Sequence, residues 1–152
     1  MKRCWILIIA LSALCLSSFA QAEADPKLWA VVKEAFFPKR DIQEVDFLKI
    51  DAPKRAESGA QVPVTFTYDK AAANGVVLKK LYVIVDANPI QLASTYHLTD
   101  SLNGFHMATR IRQETDSYVR LIGETADGKL YMAKREIRAA GGCGGTVDNN
   151  ES

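Results

Sequence analysis

The residue with the clearest capacity for chemistry is Cys143, a cysteine with two glycines on each side. The flanking residues Gly141, Gly142, Gly144 and Gly145 are four of the nine glycines in the chain. Because glycine lacks a β-carbon and explores backbone space freely, this segment is expected to form a flexible arm. A thiolate is a nucleophile, so the pattern indicates a thiol presented on an arm for covalent chemistry.

A catalytic role for this cysteine is disfavoured by its surroundings in the sequence. A catalytic cysteine needs a base or a positive field to lower its pKa, and a fixed geometry relative to the substrate. An ordinary thiol pKa of about 8.5 leaves a few per cent of thiolate near neutral pH, enough for modification by another enzyme. The three residue steps from Ala140 to Cys143 can extend about 10 Å, at roughly 3.3 Å per step, into the cleft of a partner. We therefore predict a carrier that is a covalent substrate of other enzymes, and not an enzyme.

The amino terminus has the features of an export signal. Two basic residues precede positions 4–16, which are apolar apart from Ser12 and too few to anchor the chain stably in a bilayer. Ala20-Gln21-Ala22 then gives the small-x-small pattern of a cleavage site. We predict a cleaved signal peptide over residues 1–22, a periplasmic mature protein and no stable membrane anchor.

Removal of the signal peptide changes both the charge balance and the cysteine count. Lys2 and Arg3 leave, so 17 of the 19 basic residues face 18 acidic residues. This near-neutral balance gives no reason to expect nucleic acid or anionic lipid as a partner. Cys4 and Cys15 leave as well, so Cys143 becomes the single cysteine of the mature chain. An odd cysteine in an exported protein indicates an intermolecular bond or a reactive thiol.

A short amphipathic helix is predicted at the start of the mature chain. Asp25 is a suitable N-cap, Pro26 suits the first helical position, and Pro38 ends the pattern. The apolar stripe at helical spacing consists of Leu28, Val31, Val32, Ala35 and Phe36, with Trp29 and Phe37 beside it.

The rest of the domain reads as strands separated by turn signals such as Asp127-Gly128. Pro63 marks its strand as an edge or a bulged strand, and the long apolar strand at 76–86 is expected to be central. The strands are predicted at 44–51, 61–68, 76–86, 91–98, 105–113, 117–125 and 129–138. About seven strands after one helix predict an all-β, immunoglobulin-like sandwich over residues 23–139, followed by the cysteine-bearing arm and tail over 140–152.

Other polar residues give weaker signals. His97 and His106 lie on different predicted strands without acidic or cysteine residues spaced to complete a metal site, so no metal and no cofactor is predicted. Arg110 and Arg112 share a strand face, to which Arg120 and Arg138 could add. They could attract an anion, although a solvated charged face is the favoured interpretation.

The GGCGG arm behind a strand-rich exported domain closely resembles SoxY, the sulfur-carrying subunit of the SoxYZ carrier of thiosulfate oxidation. The likeness covers about residues 27–145. The residues that carry it are Ala52-Pro53, Arg55-Ala56-Glu57-Ser58-Gly59, Val62-Pro63-Val64, Asn88-Pro89, Ala108-Thr109-Arg110-Ile111-Arg112 and Ala126-Asp127-Gly128.

This resemblance implies a heterodimer with a SoxZ-like sandwich subunit and covalent loading of Cys143 with sulfur intermediates. It also implies three partner enzymes: a SoxXA-like c-type cytochrome that couples thiosulfate to the thiol, a SoxB-like hydrolase that releases sulfate, and a SoxCD-like molybdenum dehydrogenase. The carrier itself would catalyse none of these steps.

Two features leave alternatives open. TVDNNES continues for seven residues beyond Gly145, whereas the family arm ends at or just after GGCGG. The opening helix resembles that of SoxY-like carriers associated with quinoprotein dehydrogenases. The alternatives are therefore a carrier for such a dehydrogenase system, or a non-carrier sandwich that uses Cys143 for an intermolecular disulfide.

Overall fold

The computed structural model describes residues 26–113 and 115–139. The expected signal peptide over 1–22 and the expected arm and tail over 140–152 lie outside these ranges, so both stay predictions. Within the described ranges, no helix is long and apolar enough to cross a membrane.

Helix α1 (Pro26–Phe36) begins at Pro26 and lies on the outer face of the larger of two sheets. Leu28, Trp29 and Val32 face that sheet, and Phe37 packs there directly after the helix. The predicted apolar stripe was partly wrong, because Val31 is 67 % exposed. A helix resting on a sheet buries only the side chains turned towards it, and Val31 lies outside that face.

Eight strands follow, arranged in two sheets. The larger sheet has the order β1-β8-β7-β4-β5 and the smaller sheet has the order β2-β3-β6, with β1 and β8 parallel and the other neighbours antiparallel. The all-β, immunoglobulin-like sandwich with one short helix is therefore confirmed. The strands are β1 (Ile42–Glu44), β2 (Leu48–Asp51), β3 (Val62–Asp69), β4 (Leu78–Val85), β5 (Leu92–His97), β6 (Gly104–Ile111), β7 (Ser117–Thr125) and β8 (Leu130–Ile137).

The predicted strand at 44–51 is in fact two strands, because the chain changes sheets within it. The Val45 amide donates to the Met132 carbonyl of β8 at 3.0 Å, in the larger sheet. Two residues later, the Phe47 carbonyl accepts from the Asp69 amide at the end of β3, in the smaller sheet, at 2.9 Å. Hydrophobic alternation cannot show this crossing, since apolar residues continue through it.

The larger sheet is buried on both faces. Its inner residues, such as Val83 and Leu121, pack against Phe66 of the smaller sheet, while Ile84 and Ile122 on the outer face lie beneath helix α1. A strand covered on both sides needs an apolar residue at nearly every position. This explains the continuous apolar run near the end of β4 and confirms that β4 is a central strand.

The expectation that Pro63 marks an edge or bulged strand was wrong, because β3 lies between β2 and β6. Pro63 pairs with Arg110 of β6, but β2 pairs with β3 only as far as Thr65. The strand therefore pairs on both sides over Thr65–Tyr68, four of its eight residues, and has one neighbour at Pro63. Proline lacks an amide hydrogen, and this local edge leaves one side where no ladder bond is required.

Candidate functional site: the base of the C-terminal arm

Cys143 and the four glycines around it lie outside the described residues. The structure describes the chain up to Ala139, and so it shows how the segment directly before the predicted arm is held. The site comprises the end of β8 and the loops around it: the β2–β3 loop (52–61), the β4–β5 loop (86–91) and the β6–β7 connection (112–116), of which residue 114 is outside the description.

The backbone beyond β8 is held by the β2–β3 loop. The Arg138 amide donates to the Lys54 carbonyl at 2.9 Å, and the Ala56 amide donates to the Arg138 carbonyl at 2.8 Å. These two bonds form a parallel bridge between Arg55 and Arg138. The backbone hydrogen bonding at this edge of β8 thus continues beyond the end of the strand, as far as Arg138.

Side chains from the β6–β7 connection hold the same segment from another direction. The Ala139 amide donates to Asp116 Oδ1 at 2.8 Å. Gln113 is fully buried, and its Nε2 donates to the Ile137 carbonyl at 2.5 Å. Its own backbone amide donates to the Gly59 carbonyl at 2.8 Å, which joins the β6–β7 connection to the β2–β3 loop. A buried amide side chain bonded to backbone in this way fixes the position of a strand end.

The β4–β5 loop joins this arrangement through polar contacts. The Ala87 amide donates to the Ser117 hydroxyl at 3.0 Å, and Asn88 Nδ2 donates to the Arg112 carbonyl at 2.6 Å. Asn88 belongs to the Asn-Pro pair that the sequence singled out. Three loops therefore meet around the point where the described chain ends.

A buried ion pair supports the same end of the larger sheet. Arg120 Nε donates to Asp86 Oδ1 at 2.8 Å and Arg120 Nη2 donates to Oδ2 at 2.7 Å, with both residues less than 5 % exposed. Burial raises the pKa of Asp86, and the bonds from the guanidinium oppose that rise. The guanidinium also lies 3.9 Å from the ring centroid of Trp29, so the pair connects helix α1 to the sheet.

This ion pair corrects one part of the sequence interpretation. Arg120 was grouped with Arg110 and Arg112 as a possible anion-attracting face, but it is buried against Asp86 and Trp29. Arg110 and Arg112 are exposed, as expected of a solvated face. The signal for the pair was an arginine inside the apolar run of β7 and an aspartate directly after β4.

The described residues provide a mechanical anchor and no catalytic constellation. His106 Nδ1 lies 3.1 Å from the Thr67 hydroxyl on the neighbouring strand, and His97 lies on β5. No group of three or more potential ligands for a metal ion occurs among the described residues. What this arrangement can do is hold Ala139 at a fixed position, four residues before Cys143 in the sequence.

Comparisons with known proteins give the same fold and a family. Residues 33–143 match the family described as sulfur oxidation protein SoxY. The sulfur carrier protein SoxY from Chlorobium limicola f thiosulfatophilum has a similar structure, with a TM-score of 0.57 and 23 % sequence identity, over 76 % of this chain and 98 % of that chain. At this identity the structural likeness concerns the fold.

A superoxide reductase (neelaredoxin) from Ignicoccus hospitalis aligns with a TM-score of 0.43 and 14 % identity, over 62 % of this chain and 80 % of that chain, which is too distant to bear on function. A search of curated proteins finds no match. The SoxY match covers most of the chain and extends to Cys143. The chain therefore belongs to the SoxY family of sulfur oxidation proteins.

Proposed function

We propose that this protein is a periplasmic sulfur carrier whose Cys143 covalently holds thiosulfate-derived intermediates and presents them to partner enzymes. One combined observation carries the proposal. The family match extends to Cys143, while the chain is anchored four residues earlier, at Ala139, by Asp116.

The anchor supports this role because a carrier needs a fixed origin and a limited reach. Four residues span at most about 14 Å when fully extended. Cys143 would thus sample a small volume around the three loops, which keeps its local concentration high for an enzyme docked at that end of the sandwich. A loosely held strand end would widen that volume and lower the local concentration of Cys143.

The partner enzymes accept the electrons and carry out the hydrolysis that this role requires. In loading, the Cys143 sulfur and the terminal sulfur of thiosulfate form a disulfide bond. One proton is released, and two electrons pass to a SoxXA-like c-type cytochrome. In hydrolysis by a SoxB-like enzyme, water attacks the sulfonate sulfur and the sulfur–sulfur bond that joins it to the sulfane sulfur breaks. Sulfate leaves, the sulfane sulfur takes one proton of the water to remain on Cys143 as a persulfide, and the other proton is released. The carrier contributes the sulfur atom and its position, and a SoxCD-like dehydrogenase would oxidise the remaining sulfane sulfur.

The proposal includes a SoxZ-like subunit as heterodimer partner and a periplasmic location after removal of residues 1–22. The two features that favour other systems, the TVDNNES extension and the opening helix, concern the identity of the partner enzymes. The carrier role of Cys143 is common to a thiosulfate system and a quinoprotein dehydrogenase system.

A reconstituted reaction tests the proposal. The mature chain, a SoxZ-like subunit and the thiosulfate-oxidising enzymes of a Sox system are mixed, and reduction of the c-type cytochrome is followed after thiosulfate is added. Wild-type protein should support reduction, whereas Cys143→Ser should leave only the rate seen without the carrier. Equal rates with wild-type and Cys143→Ser protein would exclude the carrier role in thiosulfate oxidation.

A further inference from the structure

One edge strand of the sandwich lacks the charged residues and proline that often protect sheet edges from pairing with other chains. Natural edge strands are blunted by charges, proline or very short length. Among the edge strands of the described sheets, β1 has three residues, β2 contains Lys49 and Asp51, and β6 contains Arg110. Strand β5, with the sequence LASTYH, has six residues and contains no Lys, Arg, Asp, Glu or Pro. Its pairing with β4 shifts register between Val83 and Ile84, so its regular part is Ser94–His97, which contains Thr95 and His97.

The outward backbone groups of β5 follow from its pairing with β4. The Leu98 amide donates to the Lys79 carbonyl at 2.8 Å, and the register places His97 opposite Lys80 and Thr95 opposite Tyr82. Hydrogen-bonded and non-hydrogen-bonded pairs alternate in an antiparallel ladder. The amides and carbonyls of Thr95 and His97 therefore point away from β4, at the end of the five-stranded sheet.

A groove of about 450 Å³ runs between β5 and β6, the two edge strands on this side of the sandwich. We call it the edge groove; its lining comprises Asn88–Ile90, Leu92–Ser94, Tyr96 and Thr109–Arg112. Tyr96 and Phe105, with ring centroids 5.2 Å apart, pack across the two sheets beside it. Ile90 stands at the other end and is 79 % exposed, more than any other large apolar residue in the described ranges.

The charged residues that line the edge groove favour one type of occupant. Among the described residues, the groove's lining includes Arg110 and Arg112 and no acidic residue, and Arg110 is exposed, so an occupant with a carboxylate is favoured over a basic one. The groove also adjoins the base of the arm, since Asn88 lines it and donates to the Arg112 carbonyl at 2.6 Å. An occupant would therefore lie next to the β6–β7 connection, which holds Ala139 through Asp116.

We propose that the edge groove is the docking site of a second subunit, which adds an extended strand to β5, covers Ile90 with apolar side chains and places a carboxylate against Arg110. Strand addition supplies affinity through backbone hydrogen bonds and specificity through alternate side chains. This inference rests on the proposed function, in which the chain works with a SoxZ-like subunit.

Two other occupants fit the edge groove less well. The chain's own terminal residues 146–152 contain one large apolar side chain, Val147, which is too little to cover Ile90, Leu92 and Tyr96. A second copy of this chain pairing β5 with β5 would bring the two arginine-containing rims to one interface, and like charges there oppose association. A partner with its own apolar strand and an acidic group avoids both problems.

The test measures binding of a purified SoxZ-like subunit to the mature chain by calorimetry, with matched variants. Thr95→Pro removes an outward amide, and Ile90→Lys places a charge in the apolar contact. Each should weaken binding by about tenfold or more, as expected when one interchain bond or apolar contact is lost. Thr95→Ala keeps the amide and Val31→Lys changes an exposed apolar residue on helix α1, so both should bind within about twofold of wild type. Circular dichroism melts establish that each variant is folded.

Hydrogen exchange gives a second readout that does not depend on any variant. The amides of Thr95 and His97 should be protected in the complex and exchange quickly in the free chain.

Unchanged binding by both Thr95→Pro and Ile90→Lys, or protection confined to another edge, would overturn the inference. Protection in the free chain that disappears when residues 140–152 are deleted would also overturn it, because the arm would then be the occupant.

These outcomes separate the inference from the proposed function. If the wild-type chain does not bind the SoxZ-like subunit, both the docking site and the proposed heterodimer are contradicted. Sulfur loading of Cys143 is a different measurement, and it can succeed or fail independently of where the subunit docks. If binding occurs and the variants have no effect, only the location is wrong.

Discussion

The Ala139 amide donates a hydrogen bond to the Asp116 carboxylate at 2.8 Å, so the last described residue before the arm is held by the β6–β7 connection. The Arg138 amide, one residue earlier, is bonded to the β2–β3 loop at 2.9 Å. The two bonds act on adjacent residues from different loops. These two bonds fix the chain just after β8, directly before the predicted cysteine arm.

Asp116→Ala should loosen that origin without unfolding the domain. A hydrogen bond to a charged group contributes about 1.5–3 kcal/mol, but much of this is lost to solvent at a partly exposed site, so we expect a decrease of roughly 1 kcal/mol in the free energy of unfolding. Exchange of the Ala139 amide, followed by NMR, should become faster. Asp116→Asn keeps an acceptor oxygen and should preserve most of the protection. Equal protection of Ala139 in wild type and Asp116→Ala would contradict the anchoring role.

Gln113 should prove the most sensitive residue of the arm base. Gln113→Met fills a similar volume but loses the Nε2 bond to the Ile137 carbonyl, which still pairs with Ser117 in the β7–β8 ladder, so the loss should be about 0.5–1.5 kcal/mol. Gln113→Ala also creates a cavity and should cost more, by about 1–2 kcal/mol. Urea denaturation of the two variants measures the difference. Wild-type stability in Gln113→Met would show that the bond is not structural.

The Asp86–Arg120 pair predicts that the stability effects of mutating its two residues are coupled. Removal of one partner leaves a buried, unpaired charge, so Asp86→Leu and Arg120→Met should each lower the free energy of unfolding by about 3–5 kcal/mol. The double variant should recover a large part of this loss, because both charges are gone. A double-mutant cycle from chemical denaturation measures the coupling energy. Additive losses would indicate that the two side chains act independently.

Glu124 provides a pH-dependent prediction. Burial raises its pKa, but the Tyr82 hydroxyl at 2.6 Å and the Arg40 guanidinium at 2.8 Å outweigh burial and hold the pKa below its ordinary value of 4.5. A depressed folded-state pKa means that the ionised group stabilises the fold above pH 4.5 and that this stability is lost as pH falls through the lower folded-state value.

Glu124→Gln should therefore reduce the free energy of unfolding by roughly 1 kcal/mol near pH 6, with a smaller difference below about pH 4. Unfolding by urea across this pH range gives the comparison. The matched control is Glu44→Gln, because Glu44 pairs with Lys134 at 2.6 Å but both side chains are exposed. This control should change stability by less than about 0.5 kcal/mol at any pH. A constant difference between Glu124→Gln and wild type would contradict the assignment.

Local patterns predicted much of this fold because most strands alternate in the way that two packed sheets require. The burial of Val62, Val64, Phe66 and Tyr68 on one face of β3 follows the sequence directly. Strands β1 and β2 could not be separated, because the change of sheet is fixed by the distant partners Met132 and Asp69. The exposure of Val31 likewise depends on the surface beneath helix α1, which a helical pattern does not contain.

For the site, the sequence predicts Cys143 and its arm, which lie outside the described residues, but it does not predict the anchor. GGCGG is recognisable because residue type and spacing carry the signal. Asp116, Gln113 and Ser117 belong to polar stretches that look like ordinary connections, and their role depends on loops brought together by the fold. The Asp86–Arg120 pair joins residues 34 positions apart, so its signal was an unusual arginine without a visible partner.

The central claim is that Cys143 is the sulfur attachment site, and intact-mass analysis of the mature chain tests it most directly. The chain is incubated with thiosulfate and a thiosulfate-oxidising system, and its mass is measured with and without a thiol reductant. The account predicts a sulfur adduct that a reductant removes, that maps to the peptide containing Cys143 and that is absent from Cys143→Ser. An unmodified wild-type chain in an active system, or an equal adduct on wild type and Cys143→Ser, would contradict it.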